Sequence, residues 1–210
     1  MSYRELSPVE LDALRELSNI GAGHAATALS QMLGRAITLE VPSVRSLPFK
    51  DVPVTVGGAE ALVVGLFMRI YGDTKGNVLL VLPQESSAAL IGSLTGKAPE
   101  EKVFREELRL ETMQESILKE IGNILAGAFL STLSQALTIN LVPSVPGLAY
   151  DMAGAVLDAL FIELGQVGDT ALLVETEFLE MSKEVQGHFF LIPDPQSLEV
   201  ILGAMAKMKW

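Results

Sequence analysis

The sequence predicts a mixed α/β (α+β) fold made of two duplicated αβ units related by a pseudo-two-fold axis. Three observations predict it: a long helical pattern that occurs twice, a short strand after each copy, and strand pairs close enough in sequence to form antiparallel hairpins. The composition, 49% hydrophobic and 6% aromatic, is typical of a globular chain with a mainly aliphatic core. We therefore expect a mostly antiparallel sheet with the two long, equivalent helices on one face.

An internal repeat decides how the chain is organised. Residues 16–33 read ELSNIGAGHAATALSQML and residues 120–137 read EIGNILAGAFLSTLSQAL, so that Glu, Asn and Leu-Ser-Gln recur at a constant offset of 104. Each copy is followed by Val-Pro-Ser-Val, at 41–44 and 142–145, where the offset falls to 101 because the second connection is shorter. We expect a single domain over residues 1–210, built from two repeats of about 8–100 and 112–208.

Each element is predicted from its local sequence. Ser7-Pro8-Val9-Glu10 has the capping box and the first-turn proline that begin a helix, and Gly34 is placed to end it. Further helices are predicted over 84–94 and about 195–208, and residues 148–160 are Ala-rich and helical in period. Strands are predicted where β-branched and apolar residues cluster between Gly and Pro, at 36–42, 60–71, 76–82, 137–143, 158–164, 170–178 and 187–192.

The charge and the residue types exclude several classes of function. With 26 Asp and Glu against 15 Lys and Arg, a net charge of −11 and no basic block, the chain lacks a surface that binds nucleic acid or an anionic membrane. It has no cysteine and two histidines, which excludes disulfides, thiolate catalysis and a His-rich metal site, though not an all-carboxylate one. No apolar run is long enough to span a bilayer, and no signal peptide is visible. We expect a cytoplasmic protein without membrane insertion.

The repeated helix carries a polar stripe in both copies. At about 100° per residue, Asp12, Glu16, Asn19 and Gly23 share one side of the first helix, and Ser116, Glu120, Asn123 and Gly127 share that side of the second. The opposite sides are apolar, and consist of Leu14, Leu17, Gly21, Ala25, Ala28 and Met32 in the first helix and Leu118, Ile121, Leu125, Phe129 and Ala136 in the second. We expect the apolar sides to face the core and the stripes to face solvent.

The Glu-x-x-Asn pairs on these stripes, Glu16 with Asn19 and Glu120 with Asn123, are the candidate functional residues. Solvation of an exposed face would explain the Glu residues alone. Asn is a poor residue inside a helix, because its side chain competes with the backbone for hydrogen bonds. Its occurrence at the same place in both copies therefore favours a functional role.

Four glycines inside the two helices have two interpretations. Each weakens a helix by about 1 kcal/mol, so each needs a reason. Close packing against another element would explain them, and so would room beside the Asn for the backbone of a partner. The four are Gly21, Gly23, Gly122 and Gly127, and for Gly23 and Gly127, which lie on the polar stripes, we favour the second interpretation.

Other candidate sites are weaker. His24 has Ala128 as its counterpart in the second helix, so we interpret it as a surface or packing residue, and His188 lies inside a predicted strand. The chain has no phosphate-binding glycine loop, Gly-x-Ser-x-Gly elbow, HExxH motif or EF-hand loop. A metal hydrolase is disfavoured, because each Glu has only Asn and Asp or Ser beside it on its stripe.

The pattern over residues 12–19, Asp-x-x-x-Glu-x-x-Asn with Pro42 at 23 residues after the Asn, resembles the signature of the CheC/CheX/FliY family of chemotaxis phosphatases. Its second copy, over residues 116–123, begins with Ser and has Pro143 at 20 residues after the Asn. The resemblance covers essentially the whole chain. It implies that the substrate is the aspartyl phosphate of the response regulator CheY. It also implies that each Asn holds the attacking water and each Glu pairs with a lysine of the regulator.

The resemblance further implies what the partners supply. The regulator would bring its own divalent metal, Mg, so this chain would need no cofactor or metal. A second implied partner is the receptor deamidase CheD, for which Asp151 to Ala155 is a candidate docking surface; an ordinary packing helix is the other interpretation of this segment. The alternative function is a non-catalytic adaptor that binds CheY or CheD without hydrolysis. The difference between Asp12 and Ser116 and the shorter second connection allow the two sites to be unequal.

Overall fold

The computed structural model describes residues 6–34, 36–41, 43–97, 99, 110–164, 170–180 and 183–207; Pro42 and the predicted repeat limits at 100 and 208 lie outside them. The helices are α1 (Pro8–Leu33), α2 (Val52–Thr55), α3 (Gln84–Thr95), α4 (Thr112–Leu137), α5 (Ala153–Leu164) and α6 (Pro195–Met205). A single 3-10 turn, Phe49–Asp51, leads into α2. The strands are β1 (Thr38–Glu40), β2 (Val44–Pro48), β3 (Leu62–Gly72), β4 (Gly76–Pro83), β5 (Leu141–Pro143), β6 (Gly147–Met152), β7 (Thr170–Glu180) and β8 (Lys183–Pro193).

The same order of elements occurs twice along the chain. A long helix is followed by two short strands, a helix, two long strands and a last helix, first from α1 to α3 and then from α4 to α6. The mixed fold and its duplicated αβ units are therefore as predicted. The limits of the two repeats stay a prediction from the sequence.

The described strands form one eight-stranded sheet, in which the two halves exchange their short strands. The order is β1-β7-β8-β4-β3-β5, with β2 also paired to β7 and β6 to β3. Every one of these pairings is antiparallel. Thus β1 and β2 lie on a long strand of the second half, and β5 and β6 on a long strand of the first. Since β4 pairs with β8 at the centre, each half depends on the other to complete its sheet.

Both faces of the sheet are covered by helices. Side chains alternate along β3 and β4, so that Leu66 and Leu80 join a core beneath the two long helices, while Val63 and Leu79 join a core on the opposite face. The first core also includes residues of α3 and α6, and the second includes residues of α2 and α5. Burial on both faces explains the continuous apolar runs of the central strands.

The two long helices begin and end by similar devices. At the start of α1, the Ser7 side chain accepts a hydrogen bond from the Glu10 amide and Glu10 accepts one from the Ser7 amide, as the capping box predicts. At the start of α4, Glu111 and Gln114 make the corresponding pair of bonds. Gly34 and Thr138 then end the helices in the left-handed conformation. Both helices therefore have 26 residues and present the repeated sequence in full.

The prediction of a strand at 158–164 was wrong. Those residues belong to α5, where Ala153, Val156, Leu157 and Leu160 are buried at helical spacing against the second core. A short apolar run fits a buried helix as well as a buried strand, so periodicity alone could not decide between the two. The strand of this region is β6, and its counterpart β2 in the first half was not predicted. No helix in the described part of the chain is long and apolar enough to cross a bilayer.

Candidate active sites on the two long helices

The structure places each Glu-x-x-Asn pair on the exposed side of its own helix. Glu16 and Asn19 are exposed on α1, and Glu120 and Asn123 are exposed on α4. A spacing of three residues brings each Glu beside its Asn, one turn apart. No hydrogen bond or ion pair joins one pair to the other among the described residues. The two pairs are therefore two candidate sites that no such bond connects.

The predicted core faces lie opposite these sites, with exceptions near the helix ends. Leu14, Leu17, Gly21 and Ala25 of α1 are buried, and so are Leu118, Ile121, Leu125 and Phe129 of α4. Ala28 and Ala136 are half-buried, and Met32 in the last turn of α1 is 43% exposed, so its assignment to the core was wrong. The buried face fixes the rotation of each helix, and this directs the Glu and Asn outward.

The basic residue before each Glu is already occupied. Arg15 forms an ion pair with Asp12 at 3.1 Å, and Lys119 forms one with Glu115 at 2.5 Å. Neither Glu16 nor Glu120 has a hydrogen-bond or ion-pair partner among the described residues. The described part of the chain thus leaves each motif carboxylate without a cation of its own. Arg15 and Lys119 were not predicted from the sequence as part of the sites, although they recur at the same offset of 104.

The four helix glycines divide between the two interpretations offered for them. A Cβ on Gly21 would lie 3.1 Å from the Phe129 Cα, and one on Gly122 would lie 3.2 Å from the Leu66 side chain. These two glycines permit close packing of helix on helix and of helix on sheet. A Cβ on Gly23 or Gly127 would meet nothing within 4 Å. Packing within the described residues does not explain Gly23 and Gly127. Their lack of a side chain leaves open space beside each Asn.

The two Asn side chains differ in their surroundings. The Val41 amide donates a hydrogen bond of 3.3 Å to the Oδ1 atom of Asn19. Asn123 has no hydrogen-bond partner among the described residues. Val41 was recognised in the sequence as part of the repeated Val-Pro-Ser-Val, but its contact with Asn19 depends on how the strand returns along the helix. In the sequence, the shorter second connection and the difference between Asp12 and Ser116 are the features that allow such an asymmetry.

The surroundings of the two sites limit the chemistry that they can perform alone. The Nδ1 atom of His24 lies 3.2 Å from the Thr132 hydroxyl of α4, so this histidine links the two helices, in line with a packing role. Among the described residues, no group of three or more His, Asp or Glu side chains is placed to hold a metal ion. Each pair offers one carboxylate and one carboxamide. These groups can bind a cation and orient a water, but they include no strong nucleophile.

Comparison with known proteins identifies the family. The family model of the CheC-like family matches residues 9–46 and 113–150, and both segments contain a Glu-x-x-Asn pair and the Val-Pro-Ser-Val after it. A Bacillus subtilis (strain 168) protein named CheY-P phosphatase CheC is 38% identical over 205 residues, which are 97% of this chain and 97% of that protein. The chain belongs to the CheC-like family.

Two further proteins extend the likeness beyond this CheC-like relative. The flagellar motor switch phosphatase FliY of Bacillus subtilis (strain 168) is 30% identical over 123 residues, or 57% of this chain and 31% of that protein. The crystal structure of FliY from Thermotoga maritima has a TM-score of 0.76 at 24% identity, covering 97% of this chain and 99% of that one. The second comparison establishes that the CheC-like fold described above occurs in a solved structure.

Proposed function

We propose that this CheC-like chain is a phosphatase that hydrolyses the aspartyl phosphate of the response regulator CheY. The observation that carries the proposal is the pair of exposed Glu-x-x-Asn sites, each with a carboxylate that has no partner among the described residues and with open space beside its carboxamide. A relative that matches 97% of the chain bears the name of such an enzyme. The regulator would dock on the polar stripe of either long helix.

The chemistry needs little from this chain beyond positioning. An acyl phosphate is already reactive, and phosphoryl transfer depends mainly on the alignment of the nucleophile and on neutralisation of charge. Asn19 or Asn123 would enter the regulator's site and accept a hydrogen bond from a water in line with the phosphorus. The water attacks the phosphorus, the bond from phosphorus to the aspartyl oxygen breaks, and inorganic phosphate leaves. A carboxamide orients water in the same way in GTPases, where the residue is Gln.

The Glu of each pair would fix the orientation of the regulator. Glu16 or Glu120 would pair with a lysine of the regulator's active site through a charge-assisted hydrogen bond. The pairing of Arg15 with Asp12 and of Lys119 with Glu115 keeps the chain's own cations from competing for these carboxylates. In each pair, therefore, the Glu binds the regulator and the Asn positions the water, one helix turn apart.

The metal of the reaction would come from the regulator. No group of His, Asp and Glu side chains in the described residues is arranged as a metal site. Each long helix offers a Glu and an Asn, which suit one half of an active site shared with the regulator. A divalent ion such as Mg, held by the regulator, would neutralise charge on the phosphoryl group. Glu and Asn of this chain would then complete an active site whose phosphoaspartate, metal and lysine belong to the partner.

The decisive experiment replaces both Asn residues. The Asn19→Ala, Asn123→Ala double variant should lose acceleration of phosphoregulator decay while it still binds the phosphorylated regulator. Gln31→Ala with Gln135→Ala is the matched control, because both are exposed carboxamides of the same helices at the same offset of 104. Decay of radiolabelled phospho-CheY measures the rate. Wild-type turnover in the double Asn variant would refute the proposal.

A non-catalytic adaptor is the alternative function. It would bind CheY or the receptor deamidase CheD and leave the rate of phosphate loss unchanged. The two copies of Asn favour the enzyme, because a binding surface has no need of the same water-orienting group twice. Decay rates of phospho-CheY with and without the wild-type chain separate the two functions directly.

CheD is the second partner that we propose, with a surface around Asp151 to Ala155. Asp151 is half-buried in β6, which pairs with β3 on one side, and Ala155 is exposed at the start of α5. The segment therefore joins an outer strand to a helix on the face of the sheet away from the Glu-x-x-Asn helices. The cytoplasmic location expected from the sequence also stays part of this proposal.

A further inference from the structure

The bond between Val41 and Asn19 distinguishes the two sites in a way that bears on the reaction. We propose that the Val41 amide is a latch that holds the Asn19 carboxamide away from the attacking water, so that Asn123 carries most of the turnover. Val41 is thus a positioning residue that acts through Asn19. This inference rests on the proposed phosphatase function and adds to it which of the two sites is the more active.

The latch fixes which end of the carboxamide faces outward. A backbone N–H can donate only to an acceptor, so the oxygen of Asn19 must face Val41, at 3.3 Å. The amino group of the carboxamide then occupies the other end of the side chain. It has two hydrogens and no free lone pair, so it cannot accept a hydrogen bond from water. The latch thus presents to a partner the end of Asn19 that cannot orient the attacking water as proposed.

No equivalent latch is present at the second site within the described residues, and the course of the backbone gives the reason. Relative to its Asn, the Val-Pro-Ser-Val of the second half comes three residues earlier than in the first. Val142, the counterpart of Val41, lies within β5 opposite Tyr71 of β3 and is 49% exposed, whereas Val41 follows β1 and is 6% exposed. The return strand therefore passes the two helices differently. Asn123 is left without a partner in the described structure and can turn its oxygen outward.

The size of the effect follows from the bond that must be broken. A net protein hydrogen bond changes an equilibrium by about 2- to 10-fold, and a distance of 3.3 Å places this one toward the weaker end. Holding one rotamer also saves conformational entropy when a partner binds. At the first site this saving does not favour the reaction, because the rotamer that the bond holds turns the Asn19 oxygen toward Val41 and away from a partner.

Single-site variants give the first test, by decay of phosphorylated regulator. Asn123→Ala should remove more than half of the activity, and Asn19→Ala less than half. A larger loss from Asn19→Ala would overturn the latch, since it would mean that the bond prepares Asn19 for reaction. If neither variant nor the double variant loses activity, the proposed function fails instead, so the two failures are distinct.

The second test removes the latch and keeps every side chain. Replacing Val41 by its α-hydroxy acid turns the amide into an ester and deletes the donor. In the Asn123→Ala background this change should raise the rate, toward the lower end of the range of about 2- to 10-fold. In the Asn19→Ala background, the matched control, it should have no effect. An unchanged or lower rate in the Asn123→Ala background would overturn the proposal.

Amide hydrogen exchange tests the bond itself in the free protein, whatever the rates show. The Val41 amide should exchange faster in Asn19→Ala than in the wild type, and the Val142 amide should not respond to Asn123→Ala. Equal exchange of the Val41 amide in wild type and Asn19→Ala would show that the latch does not form in solution.

Discussion

Gly34 and Thr138 end the two long helices in the same left-handed backbone conformation, with φ of 65° and 55°. They are related by the offset of 104 that relates the two motif copies. Glycine adopts this conformation without strain, whereas a β-branched residue does not. Thr138 is exposed, and its side chain has no hydrogen bond among the described residues that would offset the strain. Thr138→Gly should therefore stabilise the fold by about 1 kcal/mol in urea unfolding.

Gly34→Ala is the matched control for this prediction. It introduces a Cβ at the same left-handed position of α1, so it should lower the free energy of unfolding by about 1 kcal/mol. A Cβ there would meet nothing within 4 Å, so the loss would report conformation and not a clash. A decrease in stability on Thr138→Gly would contradict the interpretation, and would indicate that the Thr138 backbone is held by other contacts.

The repeat and the helix faces could be predicted because they depend on local sequence. Capping signals and 3.6-residue periodicity fixed the start of α1 and the outward direction of Glu16 and Asn19. The antiparallel sheet followed from short links such as the one between β3 and β4. These features need no knowledge of what lies opposite in space.

The exchange of short strands could not be predicted, since it is set by pairing between residues far apart in sequence. Nothing near Val44 indicates that β2 pairs with Leu173 and Val174 of the other half. The same limit hid the contact between Val41 and Asn19, which lie 22 residues apart. The run at 158–164 failed for another reason: its apolar residues suit both a strand and a helix, and burial against the sheet decided for the helix.

The open glycines should show opposite effects on stability and on binding. Gly23→Ala and Gly127→Ala add a methyl group where nothing lies within 4 Å, and each should raise the free energy of unfolding by up to about 1 kcal/mol through helix propensity. If the regulator's backbone approaches these positions, the same methyl groups should weaken its binding several-fold. Urea unfolding and titration with phosphorylated CheY give the two measurements.

Gly21→Ala and Gly122→Ala provide the contrast to these variants. The methyl group at Gly21 would lie 3.1 Å from the Phe129 Cα, a backbone atom, so Gly21→Ala should lower the free energy of unfolding by about 1–3 kcal/mol despite the gain in propensity. The methyl group at Gly122 would lie 3.2 Å from the end of the Leu66 side chain, which can shift more easily, so its loss should be smaller. Unchanged affinity for the regulator in the Gly23 and Gly127 variants would show that the open space is not used by a partner.

Charge reversal at Asp151 tests the proposed deamidase surface. The Asp151 carboxylate accepts a hydrogen bond of 2.7 Å from the adjacent Met152 amide, and in the described part of the chain Asp151 belongs to neither apolar core. Asp151→Lys should therefore weaken the complex with CheD at least 10-fold in calorimetry and leave the fold intact. Asp158→Lys, on the exposed side of α5, is the control with the same change in charge. Equal affinity of wild type and Asp151→Lys would exclude this surface.

The carboxylates of Glu16 and Glu120, which have no partner in the part of the chain that the structure describes, predict a loss of regulator affinity without a loss of chemistry. Glu16→Gln with Glu120→Gln removes the charge that would meet the regulator's lysine and keeps the size of both side chains. The loss of a charge-assisted hydrogen bond costs about 1.5–3 kcal/mol, so KM for phosphorylated CheY should rise at least 10-fold while kcat is kept.

The control for the two Glu changes must match the change in net charge, since the chain carries −11. Asp158→Asn with Glu199→Gln removes two charges from exposed positions away from the polar stripes and should leave KM unchanged. Salt should raise KM of the wild type more steeply than that of the Glu variant, because only the wild type retains the charge pair. A fall in kcat at unchanged KM would instead place the Glu residues in the chemical step, and the division between binding by Glu and water positioning by Asn would be wrong.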